Sequence, residues 1–219
     1  MAGNVAPNIV TDGLVMYLDA ANTKSYPGSG TTWTDIAAGN NGTLTNGPTF
    51  NSANGGSIVF DGVDDYVNTN YQIPSTSTIE IVINPNSNNI STVAGFLDGW
   101  SSGNVTGILM RRNGANLSSI IIGNGTTTTT LNLSTPDNSY SFITIVNSGS
   151  GYILYLNGAL QSSGSFIYLP ANNLRVGARL SNSTSYWMGM ISTLKIYNRV
   201  LSANEVLQNY NATKSRFGL

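Results

Sequence analysis

Three carboxylates fall within five positions of the stretch GGSIVFDGVDDYV, residues 55–67: Asp61, Asp64 and Asp65. The whole chain of 219 residues holds only ten acidic side chains. Oxygen donors at this density suit a hard cation such as Ca²⁺, which takes about 6–8 oxygen ligands, and Asp98 is a further donor for such a site. The same residues also suit a turn. Asp61-Gly62 reverses the chain, Asp64 caps the loop through its own backbone, and Tyr66 and Val67 re-enter a strand. Adjacent Asp64 and Asp65 point to opposite faces of an extended chain, so both reach one ion only where the backbone turns. The turn is the favoured reading, and calcium at Asp61, Asp64 and Asp65 is the alternative.

Hydrolytic chemistry needs more than this. A retaining glycosidase sets two carboxyls about 5 Å apart, one a nucleophile and one an acid. Glu80 and Glu205 are the only glutamates. Glu80 is followed at alternate positions by Val82 and Asn84, neither of them an acid, and no strand-like run shows Asp-x-Asp. With neither His nor Cys in the chain, a His-based triad, a Cys-type zinc site and a disulfide framework are all excluded. No catalytic residue is assigned, and the chain is read as non-enzymatic. The remaining candidates are aromatic. Trp33 and Trp100 sit in the Gly/Ser/Thr-rich stretches GTTWTD and LDGWSSGN, where exposed rings could stack on sugar. Packing is the alternative for both, and the preferred reading for Trp187 beside Met188. Arg111-Arg112 reads as a solvated strand end.

The elements that must position these residues are short. Charged residues make up 9% of the chain, against roughly 25% in ordinary globular proteins, while Asn alone occurs 29 times. Such a surface suits many strands joined by polar turns. A net charge of -1 and the absence of a basic field argue against nucleic acid. The opening MAGNVAPNIVTDG has no basic n-region or long apolar core, so no signal peptide is expected. No run approaches the roughly 18 apolar residues of a membrane span, so no membrane is expected.

GLVMYLDA is the first strand, with Leu14, Met16 and Leu18 on one face. TIEIVINP alternates, Ile79, Ile81 and Ile83 opposing Glu80 and Val82. Asn157-Gly158 signals a hairpin turn. Strand signals recur about every 8–12 residues, which points to an all-β sandwich. One helix is signalled in LSANEVLQNY: Ser202 and Glu205 form a capping box, with Leu201 and Val206 as its staple. The expected organisation is an arm over 1–12, a sandwich over 13–211 and an exposed or docking tail over 212–219.

Five segments in order, GLVMYLDAAN, GGSIVFDGVDDYV, TIEIVINP, YILYLNG and MGMISTLKIYNRVLSANEVLQNYN, resemble the laminin-G-type, concanavalin A-like lectin-glucanase superfamily. Ile191, Ile196, Tyr197, Asn198, Arg199, Leu201 and Ser202 match that family's final strand and its lead into a short helix. The resemblance implies a two-sheet antiparallel jelly roll, with about six or seven strands per sheet and one short C-terminal helix. It also implies a calcium site at the sandwich rim. The Asn/Thr-rich make-up and the ending QNYNATKSRFGL are similar to stand-alone bacteriophage virion proteins of this family. That similarity implies a capsid decoration or tail protein made in the host cytoplasm and carried in the virion. Other virion proteins would be its partners, docked through the arm and the SRFGL tail, and a homo-oligomer is allowed. The alternative is a carbohydrate-binding module that contacts host-surface glycan through Trp33 or Trp100, with no cofactor required beyond the calcium option.

Overall fold

The computed structural model describes residues 7–88, 94–101, 106–170, 172–180 and 185–219. Residues 1–6 of the expected arm, and Thr92-Val93 at the head of one expected strand, lie outside them. In chain order the strands are β1 (Leu14–Asp19), β2 (Thr32–Trp33), β3 (Gly42–Thr45), β4 (Thr49–Asn51), β5 (Ser57–Asp61), β6 (Tyr66–Thr69), β7 (Thr76–Pro85) and β8 (Gly95–Asp98). They continue as β9 (Thr106–Arg112), β10 (Leu117–Asn124), β11 (Thr128–Ser134), β12 (Ser141–Ser148), β13 (Gly151–Leu156), β14 (Ala159–Ser165), β15 (Arg175–Val176) and β16 (Met188–Tyr197), before helix α1 (Ala203–Phe217).

Two eight-stranded sheets face each other. Sheet A runs β14-β13-β12-β7-β16-β5-β4, with β1 also paired to β16; sheet B runs β11-β10-β9-β8-β15-β6-β3-β2. Both sheets are antiparallel among the described residues. This is the expected jelly-roll sandwich, with more strands per sheet than the resemblance implied. β16 holds sheet A together because one of its edges serves two partners. Met188–Ile191 pair with β5, and Thr193–Tyr197 pair with β1. The register against β7 slips between Ile191 and Thr193, and there the Ser192 hydroxyl meets Ser57 at 2.6 Å.

Period-2 alternation builds the core. Ile79, Ile81 and Ile83 of β7 are fully buried in one cluster with Val67, Val176, Leu97, Met110 and Ile120 from sheet B. Burial of each such side chain contributes about 1.5–3 kcal/mol. Met16 and Leu18 join this core, but Leu14 does not: a register irregularity between Leu14 and Met16 turns it to the opposite face, against Val10, Tyr197 and Val206. Asn157 and Gly158 both take positive φ (51° and 75°) between β13 and β14, the backbone a two-residue hairpin demands.

The helix is longer than its sequence signal. The capping box is present, with the Ser202 hydroxyl accepting from the Glu205 N–H and the Glu205 carboxylate accepting from the Ser202 N–H. The helix then continues through Asn211-Ala-Thr to Phe217 and ends on Gly218 in the left-handed region, φ 69°. Segment 212–219 is therefore the docked end of α1 and not an exposed tail. Phe217 packs on Tyr140 at 4.7 Å between ring centres, Thr213 is buried, and Arg216 pairs with Asp19 at 2.7 Å. These tertiary contacts outweigh the weak helix propensity of Asn and Thr. The described part of the arm is docked too: Val10 N–H donates to Asn209 at 2.7 Å, and the Tyr197 hydroxyl donates to the Val10 carbonyl at 3.0 Å.

Candidate functional site

The ten carboxylates divide by role. Five are ion-paired: Asp12 and Glu205 with Arg199, Asp19 with Arg216, Glu80 with Lys195, and Asp137 with Arg112. Two more are buried and held by backbone N–H groups. Asp35 accepts from Tyr17, Ala37, Ala38 and Asn40, and Asp98 accepts from Trp100 and Leu180. The remaining three are Asp61, Asp64 and Asp65.

These three form the turn between β5 and β6, and their carboxylates lie within 4.8 Å of one another. The turn chemistry is explicit. Asp61 accepts from the Val63 N–H two residues on, at 2.8 Å, and the buried Asp65 carboxylate accepts from the Asp61 N–H at 3.0 Å. Burial first, then the Asp61 and Asp64 charges, push the Asp65 carboxyl above the usual range against the pull of that N–H. Asp61 and Asp64 are exposed. The donors suit calcium in kind, and water would have to supply much of the shell. Asp98 does not join them: it lies on β8, separated from β6 by β15, with both oxygens engaged by backbone.

Neither tryptophan offers a face to a ligand, contrary to the exposure expected from their surroundings. Trp33 is fully buried in the main core, and Trp100 is 7% exposed. The reason is local. Trp33 lies in β2 opposite Gly42, where an added Cβ would collide with Val67 at 2.6 Å. Thr32-Trp33-Thr34 is thus a strand alternation, out, in, out, inside a stretch that reads as a loop. The Arg111-Arg112 strand end is likewise less solvated than its sequence suggests, since Arg112 is 1% exposed and paired with Asp137.

Glu80 is also structural. On the outer face of sheet A it meets Lys195 at 3.1 Å, and both are 1% exposed. Helix α1 covers the pair and adds Asn209, whose amide donates to Glu80 and to the Tyr197 hydroxyl, each at 3.0 Å. Burial and the nearby Glu80 charge push the Tyr197 phenol well above its usual range. At 1% exposure beneath α1, the Glu80 carboxylate is out of reach of a substrate at the surface.

Beside the end of α1, the same outer face opens into a notch of about 170 Å³. Cross-strand register sets Val59, Met190 and Asn84 side by side on β5, β16 and β7, and Asn51, Asn86 and Asn138 complete the rim. Gly189 forms part of the lining at φ 147°; a Cβ there would strike the Asn84 carbonyl at 2.5 Å. Met190 is fixed by the Tyr140 hydroxyl, 3.9 Å from its sulfur. The alternation that puts Ile83 and Ile191 in the core puts Asn84 and Met190 here, so the placement was readable, although its use was not. A wider cleft of about 320 Å³ beside β12–β14 is lined by Val146, Tyr152, Ile153 and Val200, with Ser148 and Ser163 adding hydroxyls to that of Tyr152.

The fold is shared with solved binding domains. The botulinum neurotoxin serotype D binding domain superposes with a TM-score of 0.73 at 15% identity, over 92% of this chain and 52% of that one. The botulinum neurotoxin type G receptor binding domain gives 0.71 at 16%, over 91% and 51%. The binding domain of botulinum neurotoxin DC in complex with SialylT gives 0.71 at 15%, over 93% and 52%. The chain thus spans about half the length of these neighbours, and the likeness is one of fold. A search of curated proteins finds no match. The family model described as the concanavalin A-like lectin/glucanases superfamily matches residues 60–207, most of the sandwich, and the chain belongs to that superfamily.

Proposed function

We propose that the chain is a non-catalytic carbohydrate-binding module, with the amide-lined notch beside α1 as its site. The observation that carries this reading is the convergence of Asn51, Asn84, Asn86 and Asn138 around a ring-sized opening with Met190 in its wall. The side-chain oxygens of Asn51, Asn86 and Asn138 already accept from the Ala53, Asn88 and Ser87 N–H groups, so these amides offer chiefly their N–H donors to sugar hydroxyls, and a thioether gives an adaptable apolar contact for a ring face. At about 170 Å³ the notch falls below the roughly 300–1,000 Å³ of drug-sized pockets, which suits one sugar residue. Membership of a lectin and glucanase superfamily supports the ligand class. The ion-paired state of both glutamates supports binding without hydrolysis. No cofactor is required at the notch, because its polar groups are neutral.

A glycan array on the purified protein tests this, run once with calcium and once with a chelator. We expect a defined set of glycans to bind equally in both, and Asn84→Ala to abolish the signal at an unchanged melting temperature. A silent array, or binding indifferent to Asn84, overturns the assignment.

Display on a bacteriophage particle is a second reading, resting on the resemblance of the ending QNYNATKSRFGL and on the Asn/Thr-rich make-up. Two residues of its expected anchors, Val10 and Phe217, pack on sheet A within the domain. Docking in a particle would then use the sandwich itself. Mass spectrometry of purified particles decides it, and absence of the chain from them ends the reading.

A further inference from the structure

Asn84 stands apart from the other amides of the notch. It is 8% exposed on β7, yet among the described residues no hydrogen bond engages its carboxamide, and the notch is the space it lines. A polar side chain so deeply buried ordinarily has a partner. Register holds it in place. Asn84 is opposite Met190, and the adjoining pair Ile83 and Ile191 sits in the core, so Asn84 and Met190 both point outward. The neighbouring amides are committed elsewhere. Asn51 and Asn86 accept at 2.8 Å from the Ala53 and Asn88 N–H groups, and Asn138 accepts at 3.3 Å from the Ser87 N–H.

The groups left open define what fits. Asn51, Asn86 and Asn138 present chiefly N–H donors, while Asn84 is open at both its oxygen and its nitrogen. Val59 and Met190 supply the apolar wall, and the Met190 sulfur already faces the Tyr140 hydroxyl at 3.9 Å. The lining is neutral throughout. A sugar hydroxyl donates as well as accepts, so a ring bearing hydroxyls alone finds too few acceptors on this rim. A carboxylate would suit the donors, but no cation lines the notch to offset its loss of water. An acetamido group meets the whole set. Its carbonyl accepts from rim N–H groups, its single N–H has the Asn84 oxygen, and its methyl lies on Met190 and Val59. In a trans amide the N–H and the C=O point opposite ways, which calls for an acceptor and donors on separate segments. Asn84 is on β7, Asn51 on β4 and Asn138 between β11 and β12.

We infer that the notch selects an N-acetylated hexosamine through its acetamido group, with Asn84 accepting the acetamido N–H. This rests on the carbohydrate-binding reading and names the sugar class for the same site. A bound acetamido group supplies the partner that the Asn84 carboxamide lacks.

Calorimetric titration of the whole protein tests the inference. The probes are the methyl glycosides of N-acetylglucosamine and N-acetylgalactosamine, each with its counterpart bearing a hydroxyl for the acetamido group, together with methyl glucuronide and Nε-acetyl-lysine. One N-acetylated glycoside is expected to bind at least tenfold more tightly than its hydroxyl counterpart, and equally well in high salt. Its N-formyl analogue, which lacks the methyl, should bind more weakly, an arm that needs no variant. Asn84→Ala should abolish the preference at an unchanged melting temperature. Equal affinities within both pairs, or tighter binding of the glucuronide, overturn the inference and leave the carbohydrate reading standing. A glycan-array signal confined to glycans without N-acetylhexosamine does the same. A preference that survives Asn84→Ala overturns the assignment to this notch. Acetyl-lysine binding without sugar binding overturns the saccharide class, and silence in both titration and array ends both readings.

Discussion

At the scale of single residues, the acids and bases of this protein serve mainly as structural fasteners. Lys195 shows the energetics most clearly. It is a cation 1% exposed, held by Glu80 at 3.1 Å and flanked by the Phe142 ring at 5.2 Å. Removing one member of a buried pair strands the other charge, so Lys195→Met alone should cost about 3–5 kcal/mol in a urea titration. Replacing Glu80 and Lys195 together with Met should cost far less than the single change. A double variant no more stable than the single one would show that Glu80 is held chiefly by Asn209. Glu205 gives a pH signature. The Arg199 guanidinium, then the Ser202 N–H, hold its carboxyl at about 2 against an ordinary 4.5. The folded form thus has the lower pKa, so the cap contributes fully above about 4.5 and loses its contribution as pH falls toward about 2. Glu205→Gln should be less stable than the parent at pH 6, and the gap should close by pH 2; a gap independent of pH would refute the assignment.

At the scale of elements, alternation was a good guide where a strand was long and a poor one where it was interrupted. Ile79, Ile81 and Ile83 could be placed in the core from β7 alone, whereas Leu14 was misplaced because an irregularity two residues later is silent in the sequence. Trp33 was misread because its strand is only two residues long and surrounded by glycine and threonine. The start of α1 was fully legible, since a capping box is local chemistry; its end was not, because Asn211 and Thr213 are tolerated by packing rather than by propensity. That difference is testable. If the final turn were a tail, deleting residues 212–219 would leave stability unchanged. The deletion exposes Tyr140 and Phe142 and leaves Asp19 without Arg216, so the melting midpoint should fall by several degrees.

At the scale of the whole molecule, the two sheets have different fates. Sheet A has part of its outer face covered by α1 and Val10, leaving the notch and the cleft beside β12–β14, while sheet B turns the row of Arg111, Ser119 and Asn132 away from the core. The notch was the least legible feature because it is not a motif. It joins Asn51, Asn84, Asn138 and Met190 from four separate segments. By contrast the aspartate cluster, so prominent in the sequence, is prominent because a turn is local.

The hydrogen bond from Val10 to Asn209 spans 199 positions of the chain. During synthesis, at roughly 5–20 residues per second, sheet B stays in two halves until β15 is made, while sheet A waits for β16 and its outer layer for α1. The nascent protein therefore spends roughly 6–22 seconds with the bare edge of β7 and an uncovered Glu80. The abundance of Asn, Ser and Thr on its strands and turns then has a temporal use. It keeps an unfinished sandwich from finding a neighbour before it finds its own last strand.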